Sequence, residues 1–159
     1  MIRLKISANR AYHRFIRIKG APREIALGFS LGVMIGMTPF LGFHIVSCVL
    51  LSSLLGWSRI SALVGVNITN AATAPLIYPI NYWVGVRLAG VSEGIEWPNG
   101  LGFAALLDLI RHSPRILADL FVGGLALGIP LSVAGYFVAL RAVHAYRRRH
   151  PHFSSDQYS

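Results

Sequence analysis

The sequence predicts an all-α fold, that of a polytopic integral membrane protein with broken or re-entrant helices and a basic N-terminal interfacial helix. Three observations carry that prediction. Only 13% of the 159 residues are charged, about half of the ~25% usual in soluble domains, and the mean hydropathy is +0.56. No Asp, Glu, Lys or Arg occurs at 25–58, 60–86 or 120–140, which together make 82 residues. A domain of this size has too little interior to hide them from water, whereas a bilayer span takes ~20 apolar residues. Finally, two of the three stretches are interrupted by Pro beside polar side chains. An ordinary soluble enzyme is thereby excluded, as are a disordered chain and a disulfide-stapled domain, since Cys48 is the one cysteine.

Segment 1–22 is basic. Seven of the fifteen Lys and Arg fall within the first 23 positions. Asn9 is a helix N-cap, Tyr12, Phe15, Ile16 and Ile18 share one side, and Gly20 with Pro22 is a stop signal. That pattern fits a helix lying on an anionic lipid surface. The apolar stretch behind it is far longer than a signal-peptide core, so the segment reads as an uncleaved anchor.

Segment 23–141 is the helical membrane domain. A continuous helix over 25–58 would be ~51 Å long, well beyond the hydrocarbon thickness, and Thr38-Pro39-Phe40-Leu41-Gly42 interrupts it. Gly28, Gly32 and Gly36, four residues apart, align on one face as a close-packing motif. The second stretch is interrupted from Asn70 to Pro75, with Pro79 one turn later. Each stretch therefore reads as two short helices joined by a turn, tolerated at membrane depth only where protein or water surrounds the freed backbone. Residues 91–100 contain Glu93, Glu96 and Trp97 without Lys or Arg and suit the outer face, and 103–112 is a short amphipathic interfacial piece. The last stretch, 120–140, is a plain span of ~31 Å with a kink expected at Pro130 and a contact face at Gly124 and Gly128. Segment 142–159 is a basic tail. The positive-inside rule makes both ends cytoplasmic. The expected order is a hairpin that enters and returns over 25–57, a broken span over 60–86, and a return through 120–140.

From Ile25 through Gly32 to Thr38-Pro39-Phe40-Leu41-Gly42-Phe43-His44, the chain resembles the bacterial inner-membrane family called domain of unknown function 2062. That family carries similar glycines, then Pro-Phe-x-Gly-x-His, then a polar Asn-Pro-Leu-Thr segment. The likeness covers about 23–90. This chain departs from the pattern at Asn70-Ala71, where the family usually has Asn-Pro. The resemblance implies a bacterial inner-membrane location and a polar break, and no reaction. Some relatives join this region to glycosyltransferase domains, which points toward envelope glycan metabolism.

The candidate substrate-binding residues are Thr38, Pro39, His44, Asn67, Asn70, Thr73 and Pro75. His44 is titratable within an apolar stretch, a functional signal by default, although a lone His bonded to a backbone carbonyl at a break explains it equally simply. Asn67, Thr69, Asn70 and Thr73 form the densest polar cluster. They suit either a substrate group facing helix N-termini or the backbone freed by the breaks. Asn81 and Tyr82 are weaker candidates, because interfacial aromatic belts account for Tyr78, Tyr82 and Trp83. His144, His150 and His152 lack a paired carboxylate, so no metal is assigned. No cofactor is expected, and no nucleophile elbow, phosphate loop or catalytic carboxylate pair is present. The expected partners are membrane lipids, including anionic headgroups, and further subunits in a homo- or hetero-oligomer. Nucleic acid is not among them, for the net charge of +9 flanks bilayer-length apolar runs. Two function classes follow: a small transporter or lipid-handling protein with a polar site at the paired breaks, or a non-catalytic scaffold or accessory subunit assembled through its glycine faces. An enzyme acting on a lipid ranks third.

Overall fold

A computed structural model describes residues 20–39, 43–67, 73–91 and 114–149, which fold as five helices with no strand among them. They are α1 (Pro22–Met37), α2 (His44–Leu54), α3 (Arg59–Val66), α4 (Ala74–Ala89) and α5 (Pro114–Arg149). The expected N-terminal helix, the acidic segment 92–100 and the amphipathic piece 103–112 lie outside the described residues, as does Asn70.

Local chemistry explains the boundaries. Pro22 occupies the first turn of α1, and the Glu24 carboxylate accepts the Ala21 N–H at 3.3 Å. Between α2 and α3 the Trp57 N–H reaches the Ser52 carbonyl and the Gly56 N–H the Ser53 carbonyl. That pair makes a Schellman stop, and it requires the left-handed φ of +68° that Gly56 supplies. Ser58 then caps α3 by accepting the Ser61 N–H. Gly90, also left-handed, ends α4.

The 36 residues of α5 make a spine ~54 Å long. α1 runs antiparallel along its C-terminal half: Ile25 and Ala26 pack with Ala139 and Val143, and Met37 reaches Gly124 and Gly128. α4, also antiparallel, follows the N-terminal half, with Asn81 at Gly123 and Gly85 at Asp119. α1 and α4 thus point the same way, one after the other along the spine, and meet near Gly124. α2 folds back from the end of α1 to its start, where the Ser58 N–H donates to the Glu24 carbonyl. α3 runs parallel to α1, with Ser58 at Gly28 and Ala62 at Gly32.

α5 continues to Arg149, past the expected boundary at 141, because Val143 and Tyr146 still pack on α1. It is the one described helix long and apolar enough to cross a membrane. The described surface is strongly apolar throughout: twenty large hydrophobic side chains are exposed, among them Ile45, Val46 and Leu54 of α2 and Leu76, Ile80 and Trp83 of α4.

Candidate functional site

The glycine faces set the site by bringing backbones together. A Cβ on Gly28 would overlap the Ser58 carbonyl, and one on Gly32 would overlap the Ala62 carbonyl and lie 2.7 Å from the Val66 nitrogen. Gly65 answers from α3, where a Cβ would strike the Phe29 carbonyl. Ser61 fastens the same crossing by donating its hydroxyl to the Ile25 carbonyl across 36 residues of sequence. Gly36 is buried in α1. At Gly28 and Gly32, then, the close contacts of the motif lie within this chain. Gly124 and Gly128 do form a contact face, turned to Met34 and Met37. Gly65, Gly85 and Gly123 are close-approach positions that sequence reasoning missed. No single four-residue pattern marks them, since each partner is a distant backbone.

Thr38 and His44 are brought together at the first break. The Thr38 hydroxyl donates to the Ile35 carbonyl at 2.6 Å, and its N–H reaches the same oxygen. His44 Nε2 stands 2.8 Å from the Thr38 carbonyl. A carbonyl only accepts, so Nε2 carries the proton there. The histidine therefore closes the turn from α1 to α2, as the simpler sequence reading had it. Pro39 is buried beside Thr38.

At the second break Thr69 and Asn70 lie outside the described residues, and the described candidates each serve their own helix. Asn67 is exposed and bonds the Leu63 carbonyl at 2.8 Å, capping its own helix. Thr73 starts α4, and its carbonyl accepts the Leu76 and Ile77 N–H groups. Pro75 follows in the first turn. Pro79, lacking an N–H, leaves the carbonyl four residues earlier without its helical donor.

The centre of the site is Asn81, ranked low from sequence. It is 1% exposed. Its Nδ2 donates to the carbonyl of Met37, the last residue of α1, at 2.9 Å, while Oδ1 is buried without a hydrogen-bond partner among the described residues. Because Met37 takes the amide N–H, Oδ1 is fixed as an acceptor. An orphaned acceptor in apolar surroundings costs about 1–3 kcal/mol, so the position favours a ligand group or water that donates to it.

These features share one level of the spine. Met37 sits at Gly124 and Gly128, and the α4 register that pairs Asn81 with Gly123 and Gly85 with Asp119 brings Ala74 level with Pro130. Pro130 itself interrupts the hydrogen-bond ladder of α5. The end of α1, the start of α4 in that register and the kink residue thus fall within ~9 Å along α5, in the middle of its uncharged stretch.

The two ends differ in charge. Arg23, Arg59, Arg141, Arg147 and Arg148 gather at the end where α1 and α3 begin and α5 finishes, and Arg147 binds the Gly20 carbonyl. At the other end Arg87 stacks on the Trp83 ring at 4.5 Å. There Asp119 is fully buried and accepts the Val91 N–H at 3.2 Å, holding the end of α4 to α5. Among the described residues no cluster of His, Cys, Asp or Glu suits a metal ion.

No curated protein and no solved structure matches the chain. A family model does, over residues 6–152, so the family reaches well beyond the 23–90 recognised from sequence. The glycine crossings, the Thr38–His44 turn and the α5 spine all lie inside that match, and the chain belongs to the family described as an uncharacterized protein conserved in bacteria, DUF2062.

Proposed function

We propose that the chain is a multi-pass inner-membrane protein, both ends cytoplasmic, acting as a small transporter or lipid-handling protein through a polar site at mid-membrane depth. The observation that carries this is the meeting of the last residue of α1 with Asn81 of α4 beside Gly123 and Gly124 of α5, where Asn81 Oδ1 is orphaned and the α4 register carries its first residue toward Pro130. Interrupted helices whose ends meet at the midplane are how membrane proteins hold polar substrates.

The membrane reading also draws on the exposed apolar side chains of α2 and α4, because monomeric soluble proteins rarely leave contiguous apolar patches of such extent bare. In this reading α1 and α2 form a hairpin entering from the arginine-rich end and returning to it. α3 and α4 make one crossing broken at its centre, and α5 comes back. The arginine-rich end is cytoplasmic by the positive-inside rule. Two crossings and a hairpin are too few to enclose a pathway, so the reading includes self-association through the exposed faces of α2 and α4. The scaffold alternative loses support, since Gly28 and Gly32 are engaged within the chain.

Thr73→Cys tests the site without knowledge of the substrate. In membrane vesicles carrying a Cys48→Ser background, a charged membrane-impermeant thiol reagent is expected to modify Cys at 73 at least tenfold faster than the fully buried Cys48 of the wild type. Equal inertness of the two would remove the water-accessible site and the proposal with it.

A further inference from the structure

The last turns of α5 carry a groove of about 560 Å³ lined by Arg141, His144, Ala145 and Arg148. At 3.6 residues per turn these four positions form one stripe, and Phe137 and Val138, both exposed, continue it one turn toward the middle of the helix. The opposite side of the same turns is occupied: Ala139 and Val143 pack on Ile25 and Ala26, and Arg147 is tied to Gly20. Among the described residues the stripe therefore faces away from α1. It changes from apolar to basic between Val138 and Arg141, where the uncharged stretch ends. No acidic residue occurs from 120 to 149 to neutralise it, and Glu24, the acid of α1 near this end, is engaged with the Ala21 N–H.

We propose that this groove binds an anionic phospholipid, its headgroup phosphate held by Arg141, His144 and Arg148 and an acyl chain laid along Phe137 and Val138. Arginine supplies paired N–H donors matched to phosphate oxygens. A free phosphate or a nucleic acid would use the basic half and leave the aromatic and valine side chains bare. A phospholipid uses both halves, at the depth where headgroup meets hydrocarbon. The inference deepens the membrane reading above and rests on it only for that depth. It does not require the polar site at Asn81.

The test is native mass spectrometry of the full chain, released from detergent micelles containing equal phosphatidylglycerol and phosphatidylcholine. The wild type is expected to retain phosphatidylglycerol preferentially. Arg141→Gln or Arg148→Gln should lower that preference about fivefold each and the double variant roughly 30-fold, at about one charge contact per arginine. These side chains are exposed, so thermal melting should stay at the wild-type value. Arg87→Gln, at the opposite end, should retain the wild-type preference. An unchanged preference in the double variant, an equal loss in Arg87→Gln, or displacement of the lipid by millimolar inorganic phosphate would each overturn the assignment. Because the assay is done in micelles, it can succeed while Cys at 73 stays inert, which separates failure here from failure of the transport reading.

Discussion

Replacing Gly32 with Leu puts the largest demand on the fold. The first added carbon already overlaps the Ala62 carbonyl and comes within 2.7 Å of the Val66 nitrogen, where ordinary contact begins near 3.4 Å. Both obstacles are backbone, so no rotamer change relieves them, and the remaining three carbons must be housed by moving α3 outward. That displacement breaks the Ser61 hydroxyl bond to Ile25 and the Ser58 N–H bond to Glu24, each contributing about 1 kcal/mol. Overpacking adds about 1–3 kcal/mol. Leu gains back only about 0.8 kcal/mol of helix propensity over Gly, which leaves a net loss of about 3 kcal/mol, a large share of a typical folding free energy. The assay is reversible denaturation of the purified protein in mixed micelles, followed by far-ultraviolet circular dichroism. Gly135→Ala serves as the control, because its Cβ meets side chains that can yield, the Phe29 ring at 3.3 Å and Val33 at 3.7 Å, and it should be neutral or gain up to about 1 kcal/mol of helix propensity. Equal stability of the two variants would refute the packing argument. Loss of an oligomer with an unaltered monomer would place the glycine face between chains and restore the scaffold reading.

Asn81→Leu should destabilise the protein by about 1–3 kcal/mol in the same assay, because the Met37 carbonyl loses its donor in apolar surroundings. Asn81→Gln, which keeps an amide on a longer arm, should recover only part of this. His44→Ala should cost about 1 kcal/mol through the lost bond to the Thr38 carbonyl, and His44→Gln, which retains a donor, should restore most of it. A His44→Ala defect in function with full stability would instead assign the imidazole to the substrate.

The helix breaks were legible because proline chemistry is local. Thr38-Pro39 and the segment ending at Pro75 announce themselves in any context, and α1 ends and α4 begins where they fall. The mutual arrangement of the polar residues was not legible, since it depends on which backbones approach. Asn67 looked like a site residue because it lies in the polar cluster, yet its side chain folds back onto the Leu63 carbonyl, four residues earlier, which also accepts its backbone N–H. Asn81 looked like part of an aromatic belt because its neighbours are Tyr82 and Trp83, yet its partner is a carbonyl 44 positions earlier.

Composition, glycine spacing and proline placement by themselves determined the helical class of the described residues, the glycine-rich crossing face and the interruptions, and the motif from Ile25 to His44 carried the resemblance to the family, all properties written in short windows of residues. Tertiary structure alone decided that Gly28 and Gly32 receive α3 of the same chain and that α1 and α4 share α5 end to end. It also decided that the end of α1 meets a buried asparagine of α4 beside Gly123 and Gly124. Those outcomes depend on helix register, and register is set by the closest approach of backbones far apart in sequence, at Gly32, Gly85 and Gly123.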